Sequence, residues 1–171
     1  MAVGREAVID YEFLRWRQNE TVVKELCVAS AAAPESFRFK SPYKMADHSS
    51  IGNGIHWNEG LIEYRELHTV FNEAVAGFAH LYAHGVSKCT FLAGLTERPI
   101  HNLEDFKYRS PGSFNHDRWC TLHCHKFPTF ACANKSARSI YDCLMYYLQN
   151  KNYVQCPPDM TRHTAEFVAA V

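Results

Sequence analysis

The sequence predicts an α/β domain in which helices flank a mixed β-sheet. Three observations carry that reading. The first 40 residues hold three short runs of strand character, and the apolar period then changes from two residues to the helical 3.6. From there helix and strand patterns alternate up to a long final helix, giving the order β-β-β-α-β-α-β-α.

Residues 7–16, AVIDYEFLRW, alternate apolar and polar side chains as a half-buried strand does, and Gln18-Asn19 mark a turn after it. Residues 22–30, VVKELCVAS, form the second predicted strand and Phe37-Arg-Phe-Lys40 the third. Ser41 to Asn58 reads as loop, broken by Pro42, Gly52 and Gly54. Over residues 61–77, Leu67, Val70, Phe71 and Ala74, with Phe78 beyond them, fall on one helical face. Phe78 to His84 either continues that helix or makes a fourth strand ending at Gly85. Ser87 is the expected N-cap of a short helix reaching about Leu95, and Pro99 to Leu103 the fifth strand. Ala131 to Lys151 is the clearest helix, with Ala137, Ile140, Tyr141, Leu144 and Leu148 on one face and Pro157-Pro158 stopping it. Thr161 is placed to cap a last short helix over 162–170, which leaves Arg162 and His163 without an assigned role.

At 171 residues and 47% apolar composition, the chain suits one domain with a sizeable core, 152–171 forming a C-terminal extension. Charged residues at 21%, with 8 Gly and 7 Pro, exclude collagenous and disordered chains. Eighteen basic residues balance eighteen acidic ones, so a nucleic acid would have to be held by a local basic patch. No apolar run approaches the roughly 18–20 residues of a membrane span, and the first residues lack the basic-then-apolar order of a secretion signal. The seven Cys are odd in number, and Cys120, Cys124, Cys132 and Cys143 crowd into 24 residues. A disulfide framework is normally evenly paired and shorter. The expectation is an intracellular protein, of cytoplasm or nucleus, with reduced thiols.

Asp10 and Glu12 stand two apart on the first strand and so point to one face. Adjacent carboxylates repel unless a cation lies between them, which a divalent metal provides. The competing reading sets both in solvent on an edge strand. An Asp-x-Glu on the first of three leading strands, in this element order, resembles the DnaQ-like exonucleases of the ribonuclease H-like fold. That resemblance implies two metal ions, magnesium or manganese, activating water against a 3′-terminal phosphodiester. A working enzyme of that kind would use Asp10, Glu12, Asp105 and Asp142. The chain departs from the pattern in two places. His84-Gly-Val-Ser-Lys88-Cys89 follows the fourth strand where a carboxylate is expected, and Lys88 would oppose a cation. The His-Asn pattern recurs only later, at His101-Asn-Leu-Glu-Asp105, and Ala137 stands five residues before Asp142 where the family has His.

The second constellation precedes the last helix. Residues 119–133, WCTLHCHKFPTFACA, place Cys120, His123, Cys124, His125 and Cys132 within 13 residues. Thiolate and imidazole are the ligands of tetrahedral zinc, and a single loop can wrap closely spaced pairs of them around one ion. Buried thiols and surface imidazoles without metal are the alternative. Together the two constellations resemble the Maelstrom domain, a DnaQ-like fold whose catalytic carboxylates are replaced by zinc. Its ligands are a Glu on the first strand and a Cys-x2-His-x8-Cys set ending on the last helix. Cys120-Thr-Leu-His123 followed by eight residues and Cys132 matches that spacing, with Glu12 as the first-strand Glu. Asp10, Cys124 and His125 are alternates.

The resemblance implies a structural zinc, since four protein ligands leave no position for water, and binding of RNA or single-stranded nucleic acid. Residual metal-independent ribonuclease activity is also implied. Basic residues suited to a phosphate backbone are Arg38, Lys40, Lys44, Lys107, Arg109, Arg118 and Lys126, with Phe37, Tyr43, Tyr108, Trp119 and Phe127 able to stack on bases. Scattered surface charge is the alternative, and with it a module that binds protein partners and no nucleic acid. Geometry separates the site readings. Cys132 and Asp142 lie ten residues apart on one helix, about 15 Å along its axis, so a compact site with Glu12 holds one or the other.

Overall fold

The computed structural model describes residues 5–17, 20–43, 57–106 and 132–149. They form a five-stranded mixed sheet with helices on both faces. The strands are β1 (Glu6–Arg15), β2 (Thr21–Ala29), β3 (Glu35–Arg38), β4 (His80–Ala83) and β5 (Ile100–Asn102), in spatial order β3-β2-β1-β4-β5. β1, β2 and β3 are an antiparallel meander, whereas β4 and β5 run parallel to β1. Parallel neighbours require crossovers, and the helices supply them: α1 (Leu67–Val75) leads into β4, and α2 (Val86–Ala93) joins β4 to β5. The last helix, α3, spans Ala133–Gln149.

Alternation along β1 sorts its side chains. Ala7, Ile9 and Tyr11 enter a core with Leu26, Phe39, Phe71, Val75, Leu81 and Leu92, under α1 and α2. Val8 enters the opposite core with Cys27, Ala29, Tyr82, Ala137, Ile140 and Leu144, under α3. β1 is therefore a central strand buried on both faces, so the edge-strand reading of its carboxylates does not hold.

Of the two readings of Phe78 to His84, the strand is the one found, as β4. The segment is too short and too evenly apolar to be settled by periodicity. The Ser87 cap is corrected: α2 starts two residues earlier than that cap implies, at Val86, with Gly85 at its N-cap and no side-chain cap bond. Gly85 has φ 99°, which Ser would hold only under strain. Its N–H is held by Asn102 Oδ1 at 3.1 Å, so β5 sets the turn. The expected helix over 162–170 lies outside the described residues. Among the described residues no helix is long and apolar enough to cross a membrane.

Candidate functional site

β4 pairs with β1 only from Glu6 to Val8. Beyond Val8, no strand among the described residues lies on the β4 side of β1, and Asp10 and Glu12 lie in that stretch. Such a place, past the carboxyl end of a strand where the chain leaves in opposite directions from its neighbours, is where open α/β sheets bind ligands. Here a side chain of the protein reaches it. Lys88, in the first turn of α2, forms an ion pair with Asp10 Oδ1 and donates to Tyr11 O at 3.2 Å. The ammonium thus also satisfies an edge carbonyl that a strand would otherwise take. Its Nζ lies 5.3 Å from the centroid of the Tyr11 ring.

Asp10 is only 3% exposed, so an unpaired charge there would be costly and the ammonium is its counter-ion. Burial, and after it the Asp10 charge, push the Tyr11 hydroxyl up to about 12, which excludes it as an acid or base near neutral pH. Burial also raises the Cys89 thiol, whose Sγ lies 3.7 Å from Ala83 O, so Cys89 is not an activated nucleophile.

Two cross-strand rows run over the α3 face of the sheet. One is Asp10–Cys27–Ser36 and the next is Glu12–Glu25–Arg38. Glu25 was not singled out from sequence, yet it is fully buried directly opposite Glu12. Carboxylates facing one another across a ladder destabilise it unless a positive group joins the row, and Arg38 stands opposite Glu25 on β3. A bulge beside this row explains its neighbour. Glu12 pairs with Glu25 and Phe13 with Val23, so Lys24 is the extra residue of β2. Its buried Nζ donates to Trp57 O at 2.8 Å and Glu59 O at 2.6 Å, fixing that segment against the sheet.

The orientation of α3 follows from its polar contacts. Asn134 Nδ2 donates to Ser36 Oγ at 2.8 Å, in the row of Asp10. One turn later, Arg138 Nη1 donates to Ser30 O at 3.3 Å and Ala32 O at 3.1 Å, beyond the far end of β2. The end of α3 that carries Cys132 is therefore the end towards Glu12. Cys132 is buried, and its carbonyl accepts the first-turn bond from Ser136 N at 2.9 Å. Asp142 lies eight residues past Asn134, about 12 Å along the axis, where Arg138 pairs with it at 3.0 Å. Asp105 is exposed on the short 3-10 turn Leu103–Phe106 that follows β5. Asp142 is thus set apart along α3 from Asp10 and Glu12, which stay together on β1, while the Asp105 charge acts on the thiol of Cys89, the neighbour of Lys88 in α2.

Cys120, His123, Cys124 and His125 lie outside the described residues, as do Lys44, Lys107, Arg109, Arg118 and Lys126. Among the described residues no three His, Cys, Asp or Glu side chains gather closely enough to hold an ion. Of the two remaining basic candidates, Lys40 is exposed and paired with Glu63 at 2.5 Å, an interaction that lowers the Glu63 carboxyl, and Arg38 is half-buried. Phe37 packs on the core under α1, and Tyr43 stacks on Trp16 with ring centroids 5.1 Å apart. Compared with known proteins, the chain matches no family model, no curated protein and no solved structure.

Proposed function

We propose that the chain is a catalytically degenerate, Maelstrom-like relative of the ribonuclease H-like exonucleases, stabilised by zinc and binding RNA or single-stranded nucleic acid. The antiparallel β1–β2–β3 meander, with its acidic pair on the central first strand, supports the fold relationship. The observation that carries the loss of catalysis is the Lys88–Asp10 pair. Two-metal hydrolysis needs that carboxylate to hold a divalent ion that activates water. An ammonium in its place neutralises the carboxylate, repels a metal and supplies no activated water. The distance of Asp142 from Asp10 along α3 supports the same conclusion.

The zinc reading uses Glu12, Cys120, His123 and Cys132, and its support is that Cys132 sits at the Glu12 end of α3. Asp10, engaged with Lys88, is the weaker alternate. With four protein ligands the ion would fasten the last helix and its preceding loop to β1, a role in stability and not in chemistry. The pairing of Lys40 with Glu63, and the place of Arg38 opposite Glu25, favour a second reading in which the domain binds a protein partner.

One preparation of the full chain tests both. Elemental analysis reads its zinc, and a labelled single-stranded RNA is titrated at low and high salt. One zinc per chain and binding that weakens steeply with salt are expected. No zinc removes the structural-metal reading, and binding that is absent or indifferent to salt transfers the function to a protein partner.

A further inference from the structure

We propose that the end of the β1–β2 hairpin, around Arg15, Trp16 and Arg17, is the surface on which this domain holds the backbone of a single-stranded nucleic acid. The inference rests on the nucleic-acid reading above and gives it a place. With eighteen basic residues against eighteen acidic ones, a polyanion is held only where cations are gathered and fixed. By the alternation of β1, Phe13 and Arg15 point away from the face that carries Asp10 and Glu12, so this surface is distinct from the acidic pair.

The hairpin fixes two cations. β1 and β2 stay paired as far as Arg15 and Thr21, and the turn is tied by Trp16 N donating to Glu20 O at 2.9 Å and Glu20 N to Arg17 O at 3.3 Å. Arg15 Nη1 donates to Thr21 Oγ1 at 2.9 Å, and its guanidinium lies 4.7 Å from the centroid of the Phe13 ring. The Arg17 guanidinium lies 5.5 Å from that of Trp16. Both Arg side chains are exposed, while Phe13 and Trp16 are half-buried. Guanidiniums backed by aromatic faces have less freedom to lose on meeting a phosphate, and the planar fork grips one through two parallel bonds.

The aromatic side chains beside the cations favour a single strand. Trp16 stacks on Tyr43 with ring centroids 5.1 Å apart and planes inclined at 12°, and its ring lies 4.8 Å from that of Trp57. Trp57 Nε1 donates to Tyr43 O at 2.8 Å, which locks the group together. Half-exposed rings among cations suit unpaired bases, whereas the bases of a duplex are already stacked on one another. Glu20, the acidic residue of the turn, accepts from the Tyr43 hydroxyl on both carboxylate oxygens, at 2.6 and 2.8 Å.

The test is a titration of labelled single-stranded RNA with the full chain across a salt series. It compares the parent with Arg17→Ala, Arg15→Ala/Arg17→Ala and Arg5→Ala, the last removing an exposed charge at the other end of β1. Each phosphate neutralised on a single strand adds about 0.7 to the steepness of log K against log salt. The double variant should therefore lose about 1.4 of that slope and at least about tenfold in affinity at low salt. Arg17→Ala should lose about half as much, and Arg5→Ala should match the parent. Thermal unfolding is checked for each, and Arg17→Ala, which leaves the Arg15–Thr21 bond in place, decides the matter if the double variant does not fold. A parent that binds RNA with a slope unchanged in Arg17→Ala, or an equal loss in Arg5→Ala, overturns this surface and leaves the nucleic-acid reading standing. No binding by the parent overturns both. Polyglutamate competing as well as unlabelled RNA of equal charge overturns it in favour of an acidic protein partner.

Discussion

Replacing Lys88 by methionine keeps most of the side-chain volume and removes the charge. The Asp10 side chain is 4% exposed and that of Lys88 27%, so the variant strands a carboxylate almost wholly withdrawn from water. Removing one partner of a buried ion pair costs about 3–5 kcal/mol. The exposed part of Lys88 shows that water can approach, which lowers the expected loss to about 2–3 kcal/mol. That figure includes the bond to Tyr11 O. For a chain of this size such a loss lowers Tm by about 4–12 °C. Urea unfolding followed by far-UV circular dichroism should show the midpoint falling with no change in slope. The companion Asp10→Asn/Lys88→Met variant has no stranded charge and should recover at least about half of the loss. A loss below about 0.5 kcal/mol in Lys88→Met, or a double variant as unstable as the single, would refute the role of the ammonium as counter-ion to Asp10.

Lys24 gives a pH-dependent counterpart. Burial holds its ammonium down to about 8 from 10.5, partly offset by Glu59. Between those values the unfolded chain binds more protons than the folded one, so the Lys24 contribution to stability rises with pH there. Below pH 8 both states are charged, and a burial cost of about 3 kcal/mol stands in full. The stability of the parent relative to Lys24→Met should therefore improve between pH 8 and 10; a difference that does not move with pH contradicts the assignment. Gly60 is at φ 140°, and a Cβ there would lie 2.3 Å from the Phe39 carbonyl carbon. Gly60→Ala should cost at least about 2 kcal/mol in the same urea assay, and a neutral result would mean that the contact of this segment with Phe39 is not held in solution.

Elements with one dominant period were legible in the sequence. The alternation of Ile9, Tyr11 and Phe13 against Val8, Asp10 and Glu12 marked β1, and Val70, Phe71 and Ala74 marked α1. The partner of Asp10 was not legible, because Lys88 is 78 residues away and only the sheet order brings them together. Lys88 could be read as opposing a cation; that it replaces one needs the geometry. The burial of Glu25 is not legible in the sequence, because a charged residue on a strand ordinarily faces solvent. The bulge sends Lys24 to the Trp57 carbonyl and leaves Glu25 in the row of Glu12, so both are buried. An adjacent charged pair inside an otherwise apolar strand was the available signal. Ser87 misled because residue type favours it as a cap, whereas the turn from β4 needs the positive φ of Gly85. Cys120 and His123, on which the zinc reading depends, lie outside the described residues, so their assignment still rests on spacing.

The most direct measurement is the zinc content of the purified full chain, by elemental analysis after extensive dialysis, beside Cys132→Ala, Glu12→Gln and Asp142→Ala. The expected result is one zinc per chain in the parent and in Asp142→Ala, with the metal reduced in Glu12→Gln and lost in Cys132→Ala. A parent chain without zinc, or zinc retained in full by Cys132→Ala, would contradict the proposed metal-stabilised domain.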